Sequence, residues 1–245
     1  MKLTDLQRGI TSGFVDCFEN KQIEKDEYST FSYPKWPKLM KFSVERYKVY
    51  GFGHFMTMLT KGPFGMELLT TAFMPGEGGS VPFLLIDIMT VGKKRTVFVE
   101  YYDCTTDDNE YKELMTVHQK YCDLPEYDEK PKWYVGERHA ASLIKCGGEA
   151  EDTKLQDMVN ESVKAYVKDV KSADIKEDNL SGLIKFRDRM IYEGNPSSAV
   201  LSKVFGEEGA ETFFKKCVMP LKEDMIGMMN DVNDIAATVA AISEE

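Results

Sequence analysis

The sequence predicts an α+β fold: a three-layer α/β/α sandwich with a central antiparallel sheet. Three observations carry this. Between about residues 43 and 102, β-prone segments alternate with the separators "GFG", "KGPFG", "PGEGGS" and "GKK". Separators this short leave no room for crossover helices, so the strands should run antiparallel. Helical periodicity lies before and after this stretch. Finally, "VPFLLIDIMTV" (81–91) is apolar at both parities, with Phe83, Leu85 and Met89 on one face and Leu84, Ile86 and Ile88 on the other. Such a strand must be covered on both sides. With 245 residues, 42% of them apolar, a single domain over 1–245 accommodates the pattern without a linker.

The elements follow in chain order. In "LTDLQRGITSGFVDCFENKQ", Leu3, Leu6, Ile10, Phe14 and Phe18 recur near helical spacing, and Thr4 with Gln7 reads as a capping box. "FSYPKWP" carries two prolines and is expected to be irregular. The strands are then "VERYKVY", "HFMTMLT", "MELLTTAFM", "PFLLIDIMTV" and "RTVFVEYY". Past residue 106 the period changes: Tyr111, Leu114, His118 and Tyr121 share a helical face, and residues 151–171 form an amphipathic helix through Leu155, Met158, Val163 and Tyr166. "NPSSAVLSKVF" starts with an Asn N-cap and Pro at N1, and a further helix is expected through 221–242.

No apolar h-region opens the chain, and no apolar stretch approaches the ~20 residues needed to span a bilayer. Cys17, Cys104, Cys122, Cys146 and Cys217 are odd in number and scattered, as expected of reduced thiols in a cytoplasmic protein. The net charge of −10 argues against nucleic acid as a partner. The charge is uneven: residues 1–80 hold 10 Lys+Arg against 9 Asp+Glu. Within "KWPKLMKFSVERYK", Lys35, Lys38, Lys41, Arg46 and Lys48 face only Glu45. This is either a solvated strand edge or a dock for an acidic partner.

Familiar catalytic motifs are absent. "GFGHFM" lacks the third glycine of a dinucleotide loop, and there is no P-loop and no G-x-S-x-G. His54, His118 and His139 are far apart, so no metal site is expected. His118 reads as a core histidine and Cys104 as a small buried residue. What stands out is Asp87, a carboxylate inside the most apolar strand. It is either a structural carboxylate bonded to a strand hydroxyl such as Thr70 or Thr71, or a pocket acid whose pKa the apolar surroundings raise.

"VPFLLIDIMTVGKKRTVFVEYYD" resembles the central hairpin of the ferredoxin-dependent bilin reductases. In that family a P-hydrophobic-G-x-D strand carries a catalytic aspartate, and the next strand ends in an acidic residue, here Asp103. "YEGNPSSAVLSKVFGEEGAETFFKKCVMP" is similar to the family's D-P helix start followed by F-G-E-x-W. Together the matches run through roughly residues 45–220. The resemblance implies an α/β/α sandwich that reduces an open-chain tetrapyrrole with electrons from ferredoxin. It implies no bound metal or flavin, because the bilin accepts the electrons while the protein supplies protons. Asp87 would be the acid, and the 35–48 stretch would dock ferredoxin.

The sequence departs from the family at four positions. Thr70 stands where a His or Asn often faces the bilin, Asn195 replaces a second aspartate, Leu85 replaces the glycine, and Gly209 replaces the tryptophan. Glu67, on the neighbouring strand, is the candidate substitute acid. Arg187, Arg189 and Lys203 are candidates to hold the propionates, with Thr70 and Asn195 beside the substrate. The loss of the second acid leaves open a non-catalytic tetrapyrrole carrier or sensor on the same scaffold, and a structural Asp87 in an unrelated α+β protein.

Overall fold

A computed structural model describes residues 1–34, 38–76, 81–105, 111–173 and 179–221. The helix expected through 221–242 lies outside the described residues, apart from Leu221, as does Lys35. The five expected strands form one antiparallel meander: β3 (Met40–Val49), β4 (Gly53–Lys61), β5 (Glu67–Pro75), β6 (Phe83–Val91) and β7 (Lys94–Tyr102). Three further strands extend it. β1 (Asn20–Gln22) and β2 (Thr30–Tyr33) share the free edge of β3, and β8 (Leu143–Gly147) pairs with β7.

β2 corrects the reading of "FSYPKWP" as irregular throughout. Its first three residues pair with β3, and the strand stops at Tyr33, before Pro34, which has no N–H to donate. β8 escaped the pattern reading because Lys145 points inward. Its ammonium is buried and donates to the Cys122 and Leu124 carbonyls at 3.1 and 3.2 Å, so the hydrophobic alternation is broken by a satisfied charge.

Helices cover both faces. α1 (Leu3–Val15), α2 (Lys112–Tyr121) and α3 (Asp152–Ser172) pack on one side. There Phe14 meets Phe55 and Phe73 edge-on or stacked, and the Tyr166 hydroxyl donates to the Pro82 carbonyl at 2.7 Å, tying α3 to the start of β6. The capping box does not form: Lys2 is the N-cap of α1, and no side chain caps it. His118 is half-buried, with Nδ1 3.2 Å from the Ser142 carbonyl.

On the other side lie α4 (Asn179–Tyr192), α5 (Ser198–Phe213) and a π-helical turn, Phe214–Val218. The N-cap of α5 is Ser197, two residues beyond the expected Asn195. Asn195 instead closes a turn, its Oδ1 accepting the Ser197 N–H at 2.9 Å, a local bond that competes with helix formation. α4 closely approaches the segment that follows β7 at Gly182, where an added Cβ would collide with the Cys104 carbonyl oxygen. Gly182→Ala should therefore lower the urea unfolding midpoint by the equivalent of about 1–3 kcal/mol, despite alanine's better helix propensity.

Candidate functional site

Strand parity decides which side chains can meet. On β5 and β6, Thr70 and Asp87 are directly paired and share the face covered by α4 and α5. The Thr70 hydroxyl donates to Asp87 Oδ1 at 2.5 Å. Both line a cavity of about 430 Å³, open mouth included, between the sheet and the C-terminal helices. The floor around them is apolar, formed by Met56, Met58, Phe83 and Leu85. Met190, Leu201, Phe213 and Val218 come from the helical side, with Asn195 and Ser197 at the turn between α4 and α5.

Asp87 keeps some contact with the cavity, but protein surrounds its carboxyl on the other sides. Burial pushes its pKa from 3.8 up to about 6, and the Thr70 hydrogen bond only partly opposes this. A carboxyl so placed carries a proton at mildly acid pH and can donate it into the cavity.

A second buried carboxylate lies on the same face, unforeseen from the sequence. Glu100 pairs with Leu85 across the β6/β7 ladder, while Asp87 pairs with Phe98, so the two carboxylates are diagonal neighbours. Glu100 is 2% exposed. It accepts from Arg138 Nε at 2.6 Å and from the Tyr102 hydroxyl at 2.9 Å. Arg138 also grips Glu129. Burial raises the Glu100 pKa to about 7; Arg138 opposes that shift and Asp87 adds to it. The signal in the sequence was the same as for Asp87, a carboxylate inside an apolar strand, "VFVEYY". Its counter-ion, 38 residues away in sequence, was not legible.

The other candidate residues lie elsewhere. Glu67 is on the opposite parity of β5, at the strand end, with Lys61 Nζ 3.8 Å away; it does not line the cavity. Asp103 follows β7 and accepts from the N–H and hydroxyl of Thr105. Of the candidate cations, Arg189 is held by Glu137 and Glu193 and lies over the Trp133 ring, Lys203 is exposed, and Arg187 is nearly buried beside Asp188. None of the three lines the cavity.

The docking stretch divides. Arg46 is 2% exposed and ion-paired with Asp26 at 2.7 Å, so it is an internal residue and not part of a dock. It reached the candidate set because sequence does not show that alternate residues of β3 turn into the core. Lys48 is half-buried, its ammonium 4.8 Å from the Tyr50 ring centre. Lys38 and Lys41 are exposed. They share one end of the sheet with the exposed Lys61, Lys93 and Lys94 of the β4–β5 and β6–β7 hairpins.

Beside the cavity, His54 is fully buried, its Nε2–H donating to the Cys217 carbonyl at 3.0 Å. Burial lowers its pKa to about 3, so it stays neutral and ties the π-helical turn to β4. No helix among the described residues is long and apolar enough to cross a membrane.

No family model matches the chain, and no curated protein matches it in sequence. Among solved structures, phytochromobilin synthase from tomato, in complex with biliverdin, aligns over 94% of this chain and 86% of that one, with a TM-score of 0.76 at 14% identity. The chain thus shares, across nearly its whole length, the fold of a protein solved with a bound bilin: an antiparallel sheet between two helical layers.

Proposed function

We propose that the chain binds an open-chain tetrapyrrole, biliverdin or a close relative, in the cavity between sheet and C-terminal helices, and reduces it with electrons from ferredoxin. The observation that carries this reading is Asp87: a carboxyl of raised pKa, oriented by Thr70, facing an apolar cavity in a fold shared with a biliverdin-bound protein. Reduction of the conjugated pigment needs a proton beside each electron. Asp87 supplies it at a pyrrole nitrogen or lactam oxygen, and the apolar floor keeps competing water away. Thr70 holds the carboxyl toward the pigment, and Asn195 offers its amide at the cavity's turn. The lysine-rich end of the sheet, including Lys38 and Lys41, provides the positive field that a negatively charged electron carrier requires.

A carrier or sensor role is the second reading. It is favoured by the absence of another acid among the described cavity residues, since Asn195 cannot donate a proton as a carboxylic acid would.

One experiment separates the two. Biliverdin is titrated into the purified protein and followed by its absorption, then reduced ferredoxin is added without oxygen at several ionic strengths. The enzyme reading expects a sharpened bound band that then moves to shorter wavelength, at a rate that falls as salt rises. Binding without the second change supports the carrier. No binding sinks both.

A further inference from the structure

Three of the five large apolar or aromatic side chains that stand exposed among the described residues gather at one end of the sheet: Leu39 at 52%, Phe64 at 98% and Val91 at 42%. The lysines of that end surround them. We propose that this patch seats a small acidic electron-carrier protein, with Phe64 as the apolar anchor. This rests on the reading of the chain as one that takes electrons from ferredoxin.

The strand register brings the patch together. β3 begins beside the end of β4, where Lys41 pairs with Lys61. Lys61 pairs with Glu67 across the β4–β5 hairpin, and Glu67 with Thr90 of β6. Val91 pairs with Lys94 at the β6–β7 hairpin, and the Phe64 turn lies against β6. Lys38, Lys41, Lys61, Lys93 and Lys94 are all exposed. Among the described residues, the carboxylates in ion-pair range of them are Glu67, 3.8 Å from Lys61, and Glu149, 3.9 Å from Lys93. Pairs so long between exposed side chains cancel little of the field.

Two features of the patch cost stability and gain nothing within the chain. Lys41 and Lys61 are direct cross-strand neighbours, and like charges so placed repel. Phe64 sits at φ 56°, ψ 30°, a left-handed conformation that bulky residues rarely adopt, with its ring held out in solvent. A partner that brings negative charge and a groove for the ring offsets both costs.

The chemistry selects the occupant. An apolar centre ringed by polar groups is the make-up of a protein interface. On a chain of net charge −10, clustered lysines steer an anionic partner to one place. A second copy of this chain, seated by the same patch, would set lysine against lysine. Thr70 and Asp87 lie three residues from the strand ends at Glu67 and Thr90, roughly 10 Å at the rise of a β-strand. A carrier seated here delivers electrons close to the cavity wall that holds the acid.

The test is calorimetric titration of the full-length, pigment-free chain with oxidised plant-type ferredoxin at several salt concentrations. Asparagine tolerates the left-handed backbone, so Phe64→Asn removes the ring without endangering the fold. It should weaken binding about 10-fold or more and leave the salt dependence as it was. Lys61→Glu combined with Lys94→Glu should weaken binding and flatten its salt dependence. Lys164→Glu, on the exposed side of α3, should do neither to a comparable extent. Affinity unchanged in Phe64→Asn, a loss in the lysine pair no larger than in Lys164→Glu, or no binding by the unsubstituted chain overturns the proposal. Phe64-dependent co-sedimentation with phosphatidylserine vesicles, beside ferredoxin binding that ignores Phe64, would assign the patch to a lipid surface and overturn it too. Biliverdin titrations of the same variants should match that of the unsubstituted chain. Ferredoxin binding needs no pigment, so a failed dock and a failed bilin reading give different results.

Discussion

If the proposed function holds, Asp87→Asn should bind biliverdin with unchanged affinity and reduce it at least about 100-fold more slowly than the unsubstituted chain. Asparagine keeps the shape and the acceptor that meets the Thr70 hydroxyl but has no acidic proton to give. The same change should stabilise the protein at neutral pH. The folded-state pKa of Asp87 lies near 6, above its ordinary 3.8, so the native state holds this proton more tightly than the unfolded chain. Stability from this group is therefore greatest below about pH 4, falls as pH rises toward 6, and stays lowered above that. Asparagine carries no such penalty. Urea unfolding at pH 8 should show the variant ahead by on the order of 2 kcal/mol, with little advantage at pH 4. A variant equally destabilised at both pH values, with turnover intact, would make Asp87 a structural carboxylate and remove it from the chemistry.

Arg138→Ala should be among the most damaging single changes on the cavity side. It leaves Glu100, almost wholly enclosed, with Tyr102 as its hydrogen-bond donor and no counter-ion. Stranding a buried charge in this way costs about 3–5 kcal/mol. Glu129 is more exposed and can turn to water. The loss should depend on pH. Without the guanidinium the Glu100 pKa rises further above its unfolded value, so the native state is penalised progressively as pH rises from about 4.5, and the defect is larger at pH 8 than at pH 5. Adding Glu100→Gln to Arg138→Ala should recover much of the stability, a non-additivity expected of two groups in one ion pair. If unfolding midpoints are independent of pH, or the double variant is worse than the single, the buried pair is not the cause.

Both experiments bear on strand residues whose local sequence was already unusual, and that marks how far the sequence reaches. Short turns determined the antiparallel meander, because separators of three to six residues cannot carry a crossover. The two-sided apolar pattern of β6 determined that helices must cover both faces. Asp87 declared itself because a carboxylate in an apolar strand is expensive without a reason. Its bond to Thr70 followed from two strands in plain register.

Tertiary structure decided the rest, for one recurring reason: the partners lie far apart in sequence. Glu100 is tolerable only because Arg138 arrives from beyond α2. Lys145 hides β8 by finding carbonyls at the end of α2. Arg46, basic and seemingly exposed, turns inward to Asp26 because its parity on β3 faces the helices. Glu67, a plausible acid by position in the chain, points to the other side of the sheet from Asp87 because the two differ in parity across the ladder. Periodicity specifies the layers and which strands need cover. Only the packed fold specifies which charges meet, because a buried charge is stable only beside the partner that chain folding delivers.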